Sequence, residues 1–166
     1  DTCLDEMQAE HDPNPDKPVN FHAHVGFRLP VLVIAALLGF PVEDAEEVIG
    51  LSDRMGSTVN GADALAAAAE LQEYMRVLVA RKRGNLGPDV ISDFIRAQDE
   101  DPDFFTVRSL ESFAAGLVFP GHETTVVRMD FGVLYLLSDP ARRDWLMADP
   151  EGRIDRVVDE VLRMTS

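Results

Sequence analysis

The feature that most constrains the fold is a helical pattern that extends from Thr106 to Leu137 with a proline near its centre. At 1.5 Å per residue, a helix of this length extends about 46 Å, which is enough to cross a whole domain. Thr106 is a suitable cap for its start. Pro120 removes the backbone hydrogen bond to the carbonyl of Gly116 and crowds that turn. The sequence therefore predicts a long central helix with a kink at its middle.

Nearly every other segment also has a helical pattern, and the turns between segments contain proline or glycine. Helices are expected over 2–9, 31–38, 43–54, 62–83 and 88–98, and two more follow caps at Ser138 or Asp139 and at Asp149. Apolar stripes are expected in two of them: Leu65, Leu71, Met75, Leu78 and Val79 in one, and Ile154, Val157, Val158, Val161 and Leu162 in the last. The segment 19–26 is ambiguous and could be extended. Strand signals are nearly absent, so the predicted fold is mainly α with little or no β.

The composition excludes several classes of partner and site. With 15 Lys and Arg against 30 Asp and Glu, the net charge is −15, which argues against nucleic acid and anionic membrane surfaces as partners. The longest apolar run, Leu29 to Phe40, is shorter than the ~20 residues of a membrane helix, and no signal peptide is expected. Cys3 is the only cysteine, so a disulfide and a multi-cysteine metal site are excluded. These features fit one globular domain in a reducing cytoplasm.

Two groups of residues could carry chemistry. In the long helix, Glu123 and Thr124 form an acid–alcohol pair beside the break at Pro120, and the Thr124 hydroxyl can return to the carbonyl of Pro120. Breaks inside a central helix are often kept for a ligand, although a bend that only fits neighbouring helices is an alternative. In the last helix, Glu160 and Arg163 are three residues apart and can pair, as many exposed residues do.

Together and in this order, these motifs resemble those of cytochrome P-450, a haem–thiolate monooxygenase, in its soluble bacterial form. The run Gly121 to Thr125 (Gly-His-Glu-Thr-Thr) is similar to the oxygen-activation motif of the family's central helix, and Glu160 to Arg163 is similar to its Glu-x-x-Arg motif. Leu136 to Pro140 matches the usual link between the two helices. The segment from Leu29 to Pro41 is similar to the family's Leu-Pro…Val-Ile…Leu-Leu-Gly-x-Pro pattern. The resemblance covers the whole chain.

The resemblance implies a function and a role for each matched residue. Glu123 and Thr124 would be catalytic, positioning water and passing protons towards dioxygen. Gly121 would allow the haem face to approach the backbone closely. Glu160 and Arg163 would form a buried structural ion pair. The parent enzyme would use haem b and O₂ to insert one oxygen atom into a small organic substrate, with electrons from a ferredoxin or flavodoxin.

Two departures from the family pattern qualify this prediction. Pro120 replaces the family's usual alanine or glycine. The cysteine that binds the iron is expected in a loop after the Glu-x-x-Arg helix, but the chain ends at Ser166, and Cys3 is not in a comparable loop. We therefore expect residues 1–166 to be a single incomplete domain that lacks the family's N-terminal part and its haem–thiolate loop. We also expect that the chain alone has no metal ligand for haem and is inactive.

Other interpretations of the same residues give different functions. A truncated, non-enzymatic helical scaffold or binding module is the alternative function. A carboxylate-bridged di-iron bundle needs Glu-x-x-His pairs, and the sequence has none. His22 and His24 would share a face if extended and could suggest a metal pair, but surface histidines are the simpler interpretation. His122 is expected to be a neutral helix histidine, and Trp145 a core residue.

Overall fold

The computed structural model describes residues 2–13, 16–57, 59–103 and 105–165, and these contain helices and no strand. In chain order the α-helices are α1 (Thr2–His11), α2 (Arg28–Leu38), α3 (Ala45–Gly56), α4 (Gly61–Lys82), α5 (Val90–Glu100), α6 (Val107–Leu137), α7 (Pro140–Met147) and α8 (Pro150–Met164). A 3₁₀ turn, Val42–Asp44, precedes α3. A π-helical turn, His22–Gly26, precedes α2, so the extended conformation considered for 19–26 is wrong. The mainly α prediction is confirmed.

Side-chain caps start the last three helices where the sequence places them. The Thr106 hydroxyl accepts a hydrogen bond from the Ser109 N–H at 3.1 Å, at the start of α6. A carboxylate oxygen of Asp139 accepts from the backbone at 2.9 Å before α7, and one of Asp149 does so at 3.2 Å before α8. Each cap satisfies an N–H group that has no partner inside its own helix. These local interactions explain why the boundaries were predictable.

Residue contacts divide the chain into two compact units, and residues 30–123 form the first, here called the central unit. In it, α3 packs along α4, and α4 contacts α5. Its core consists of fully buried aliphatic side chains, among them Leu38, Val48, Leu71, Met75, Ile91, Ile95 and Leu110. The apolar stripe predicted for α4 is confirmed except at Leu65, which is 76% exposed.

Residues 1–29 and 124–166 form the second unit, here called the terminal unit. In it, α1 contacts the π-helical turn and α7 contacts α8. A small core joins Leu146, Val157 and Val161 to the partly buried Tyr135 and Leu136. Trp145 is 40% exposed, so its prediction as a core residue is wrong: Leu146 takes the buried position of α7 instead.

None of the helices in the described part of the chain combines the length and the apolar character that a membrane-spanning segment needs.

Candidate active site

The predicted acid–alcohol pair lies in the middle of α6 with both residues exposed. Glu123 and Thr124 are accessible to solvent, as are Pro120 and Thr125. His122, between them, is only 3% exposed. The α6 helix continues through Pro120 without a break. The pair is thus displayed on one side of α6, while His122 is turned into the protein as an ordinary helix histidine would be.

Gly121 makes a close contact within the central unit. A Cβ atom at this position would lie 2.6 Å from Cδ1 and 3.3 Å from Cγ1 of Ile34, on α2. Carbon atoms do not approach to 2.6 Å, so any larger residue would force Ile34 or α6 to move. Because Cδ1 is the end of a flexible side chain, Ile34 can move aside, so this contact favours glycine without requiring it. The haem-facing role that the resemblance gives to Gly121 stays a prediction.

The Thr124 backbone is tied to the following turn of α6 in the terminal unit. The Arg128 guanidinium donates a hydrogen bond from Nη1 to the Thr124 carbonyl at 3.0 Å. A guanidinium on a helical carbonyl supplies a second donor to an oxygen that already serves the helix. Arg128 was not singled out from the sequence, because an arginine four residues after a threonine carries no distinctive signal. We assign it to positioning the backbone beside the Thr124 hydroxyl.

Glu160 and Arg163 do form the predicted ion pair on α8. Nε and Nη2 of Arg163 each donate to a carboxylate oxygen of Glu160 at 2.7 Å, which is the bidentate geometry. The hydrogen bonds from Arg163 lower the pKa of Glu160, and the nearby Arg142 adds to this effect. The same hydrogen bonds raise the pKa of Arg163.

Within these 166 residues the pair is exposed, so its burial in the parent enzyme, which the resemblance implies, stays a prediction. The Arg163 side chain is 69% exposed and that of Glu160 is 36% exposed. Arg163 lies about 160° around α8 from the buried Val161, because each residue turns the helix by about 100°. Sequence spacing fixes whether two residues can pair, but it does not fix what covers them.

The two histidines of the π-helical turn have separate partners. His22 Nδ1 lies 2.6 Å from Oδ2 of Asp130 on α6, and His24 Nε2 lies 2.7 Å from Oε2 of Glu10 on α1. Because the turn is helical, the shared face that an extended segment would give does not exist. Among the described residues, no group of three or more His, Cys, Asp or Glu side chains could hold a metal ion. Each histidine serves to join the turn to a helix.

A buried ion pair in the central unit was missed from the sequence. Lys82 Nζ donates to Oδ2 of Asp89 at 2.8 Å, and the two side chains are 12% and 7% exposed. Asp89 also caps α5, accepting from the Ser92 N–H at 2.9 Å and the Ser92 hydroxyl at 3.0 Å. The Asp-x-x-Ser spacing at 89–92 is the available signal, because it is typical of a helix cap.

Several known proteins are similar to this chain in sequence, although no protein-family model matches it. The vitamin D(3) 25-hydroxylase of Pseudonocardia autotrophica is 36% identical over 151 residues, which are 91% of this chain and 37% of that protein. The cytochrome P450 BJ-1 homolog of Sinorhizobium fredii is 33% identical over 89% of this chain and 37% of that protein.

Solved structures give the same result. The putative thioether synthase SgvP, involved in a tailoring step of griseoviridin, superposes with a TM-score of 0.87 at 31% identity. The match covers 97% of this chain and 40% of that one. Myxobacterial cytochrome P450 CYP267B1 gives 0.77 at 31% identity over 97% of this chain and 41% of that one. The chain thus spans roughly two fifths of the length of its relatives, with the motifs of α6 and α8 in the expected order, and it belongs to the cytochrome P450 family.

Proposed function

We propose that this chain is the central helical part of a haem-dependent monooxygenase that inserts one oxygen atom of O₂ into a small organic substrate. The observation that carries the proposal is the exposed Glu123–Thr124 pair at the middle of α6. An acid and an alcohol that are adjacent and accessible can hold a water molecule and pass a proton. We extend the proposal to electron supply by a ferredoxin or flavodoxin, and to a cytoplasmic location.

In this proposal, α6 would line one side of a haem group. Haem b supplies oxygen binding and redox chemistry when it is bound. Glu123 and Thr124 would face it from α6, with Gly121 two residues before Glu123. Cys3 is buried at 6% exposure on α1 and is the only cysteine, so it is a poor thiolate ligand. The proposal therefore assigns the iron-binding cysteine to sequence outside these 166 residues.

Glu123 and Thr124 have separate tasks in this scheme. The Glu123 carboxylate takes up a proton from water and releases it again, so it serves as the proton relay of the pair. The Thr124 hydroxyl donates and accepts hydrogen bonds, so it can hold one water molecule in the orientation that proton delivery needs. Arg128 holds the backbone at Thr124 through its bond to the carbonyl. Proton delivery fails when Glu123 loses its ionisable carboxyl group or Thr124 loses its hydroxyl group.

The alternative of a non-enzymatic scaffold gains no support from the relatives described above, which are named as cytochromes P450, a hydroxylase or a synthase.

The test is mutation of the pair in the full-length enzyme that carries this sequence. We expect Thr124→Ala and Glu123→Gln to lower product formed per O₂ consumed, with a rise in hydrogen peroxide. Loss of a positioned proton donor costs about 10²-fold or more in rate. Thr124→Ser should restore coupling, because it restores the hydroxyl. Glu111→Gln and Ser112→Ala, on the same helix, are matched controls. The proposal fails if both variants couple oxygen consumption to product as the unmodified enzyme does.

A further inference from the structure

A pocket in the terminal unit is lined by an arginine that has no hydrogen-bond or ion-pair partner among the residues that the structure describes. The pocket lies between the end of α6, α7 and α8, and its volume is about 380 Å³. Aromatic rings of Tyr135 and Trp145 and the aliphatic side chains of Leu136 and Val157 line it. Two guanidinium groups, those of Arg142 and Arg156, complete the lining. Apolar walls with a few charged groups are typical of small-molecule sites, and the volume is at the lower end of their range.

Arg142, one of the two arginines, already has partners within the protein. The Arg142 guanidinium stacks on the Tyr135 ring at 4.4 Å from the ring centroid. Its Nη1 donates to the Tyr135 carbonyl at 3.2 Å, and its Nε lies 3.4 Å from a carboxylate oxygen of Asp139. Stacking and pairing fix the position of Arg142 and offset its charge. Arg142 therefore builds the wall of the pocket and leaves little binding capacity for a ligand.

The Trp145 ring, which also lines the pocket, is held as well. The Arg153 guanidinium lies 4.9 Å from the Trp145 ring centroid and donates to the Trp145 carbonyl. Arg153 in turn lies 4.0 Å from a carboxylate oxygen of Asp149, the cap of α8. Trp145 is thus held in place although it is 40% exposed. A held, partly exposed ring offers a flat apolar surface at low entropic cost to a ligand.

Arg156 differs from both neighbours. Among the described residues it has neither a hydrogen-bond nor an ion-pair partner. Two acidic residues stand at helical spacing from it: Asp159, three residues on, with which it forms no ion pair, and Glu160, four residues on. Arg163 donates to both carboxylate oxygens of Glu160 at 2.7 Å. In a chain of net charge −15, most arginines find a carboxylate. An unpaired guanidinium beside aromatic rings presents a planar fork of donors that matches a carboxylate.

We propose that this pocket binds a small carboxylate that carries an aromatic ring. The carboxylate accepts two hydrogen bonds from the guanidinium of Arg156, and the ring packs against Trp145, Leu136 and Val157. Inorganic anions fit less well, because they cannot cover the apolar walls. The proposal does not depend on the oxygenation chemistry proposed for α6, because it uses none of those residues.

The chain contains a built-in reporter for the test. Trp145 is the only tryptophan, so a change in intrinsic fluorescence on titration comes from the pocket wall. Phenylacetate is the probe, phenylacetamide is its neutral counterpart, and acetate has the charge without the ring. We expect saturable quenching by phenylacetate and affinities lower by about tenfold or more for the other two. Far-UV circular dichroism on the same samples verifies helical content.

Variants localise the binding to Arg156. Arg156→Gln should weaken phenylacetate binding by about tenfold or more, and Arg156→Lys should recover part of the loss, because it restores charge without the fork. Arg108→Gln removes another exposed arginine that has no partner among the described residues, at the start of α6, and should bind phenylacetate unchanged. Equal affinity for phenylacetate and phenylacetamide would overturn the proposal. So would an Arg156→Gln variant that binds as tightly as the unmodified chain.

Discussion

At the scale of single residues, Gly39 has the strictest requirement in the chain. It follows the last residue of α2, and its N–H and that of Phe40 both bond to the Ala35 carbonyl, at 2.8 and 3.1 Å. Its φ of +75° is the only positive value among the described residues. A Cβ here would also lie 2.6 Å from Oδ2 of Asp89 and against the ammonium of Lys82. Backbone conformation and packing both require glycine at this position.

We therefore expect Gly39→Ala to lower the free energy of unfolding by at least about 2 kcal/mol, from left-handed strain and displacement of the ion pair. Urea denaturation followed by circular dichroism measures the change. Gly50→Ala is the control, because Gly50 lies inside α3 and a methyl group there would have nothing within 4 Å. Alanine should raise stability there by about 0.5–1 kcal/mol. Equal effects of both substitutions would contradict this account.

The same ion pair should make the central unit sensitive to acid. Burial alone would raise the pKa of Asp89, but the hydrogen bonds from Lys82 and from Ser92 outweigh burial and lower the pKa below its usual value. A carboxyl whose folded pKa is lower than its unfolded pKa stabilises the folded state above the unfolded pKa of about 3.9. That contribution is lost as the pH falls through the folded pKa.

We expect the stability difference between the unmodified chain and Asp89→Asn to be largest near about pH 6 and to shrink towards about pH 3. Urea unfolding at several pH values measures it. Ile95→Val is the control, because it alters the buried core of α5 without a titrating group, and its difference should stay constant. If the Asp89→Asn difference does not change with pH, the lowered pKa does not contribute to stability.

At the scale of elements, α6 combines an internal proline with an unbroken helical range. Pro120 has no N–H to donate to the Gly116 carbonyl, so α6 forgoes one hydrogen bond at the turn before its motif. A proline inside a helix costs about 3 kcal/mol relative to alanine. The presence of Pro120 so close to Glu123 and Thr124 is consistent with a loss of helix stability in exchange for the geometry of the motif.

Pro120→Ala should consequently raise the free energy of unfolding, by up to about 3 kcal/mol. Pro140→Ala is the matched control, since Pro140 lies in the first turn of α7, where proline costs a helix nothing. Thermal and urea unfolding of both variants measure the contrast. A destabilised Pro120→Ala variant would show that the proline is needed for packing and not for local geometry.

Element boundaries were predictable and side-chain environments were less so. The caps at Thr106, Asp139 and Asp149 act within three residues of the chain, so the sequence contains all the information that they need. The exposure of Leu65 and Trp145, by contrast, depends on which helices pack over them. Neighbours that are distant in sequence decide that packing, and a single sequence does not reveal them.

Within the candidate site, some features could likewise be predicted from the sequence and others could not. The Gly121–Thr125 and Glu160–Arg163 motifs could be identified directly, and the ion pair forms at the predicted spacing. The contact of Gly121 with Ile34, the bond from Arg128 to Thr124 and the Lys82–Asp89 pair could not be identified. None of the three pairings has a distinctive local sequence pattern, so only the folded arrangement reveals them.

At the scale of the whole molecule, α6 exposes large apolar side chains along its length. Phe113 is 58% exposed, Val127 53%, Leu134 62% and Leu137 66%. A helix that is apolar on several sides is normally covered by protein. The chain matches only 37% of the length of its P450 relatives. We infer that further protein covers this surface in the complete enzyme.

We proposed that the iron-binding cysteine lies in sequence outside these 166 residues. This predicts that the 166 residues alone do not form a thiolate–haem complex. Mixed with hemin, reduced and exposed to carbon monoxide, the chain should lack the Soret band of haem–thiolate proteins, because Cys3 is buried and no other cysteine exists. A full-length cytochrome P450 is the positive control. A thiolate band from the chain itself would contradict the assignment of the ligand to other sequence.

Because Cys3 is buried, the rate at which its thiol is modified can also report on the opening of α1. As the sole thiol, only 6% exposed near the start of α1, it can react with a thiol reagent when that helix opens. The rate of modification, compared with that of an unfolded reference peptide, gives the opening equilibrium of α1 directly. A colorimetric time course of thiol modification therefore measures the local stability of α1 in the terminal unit, and no label has to be introduced.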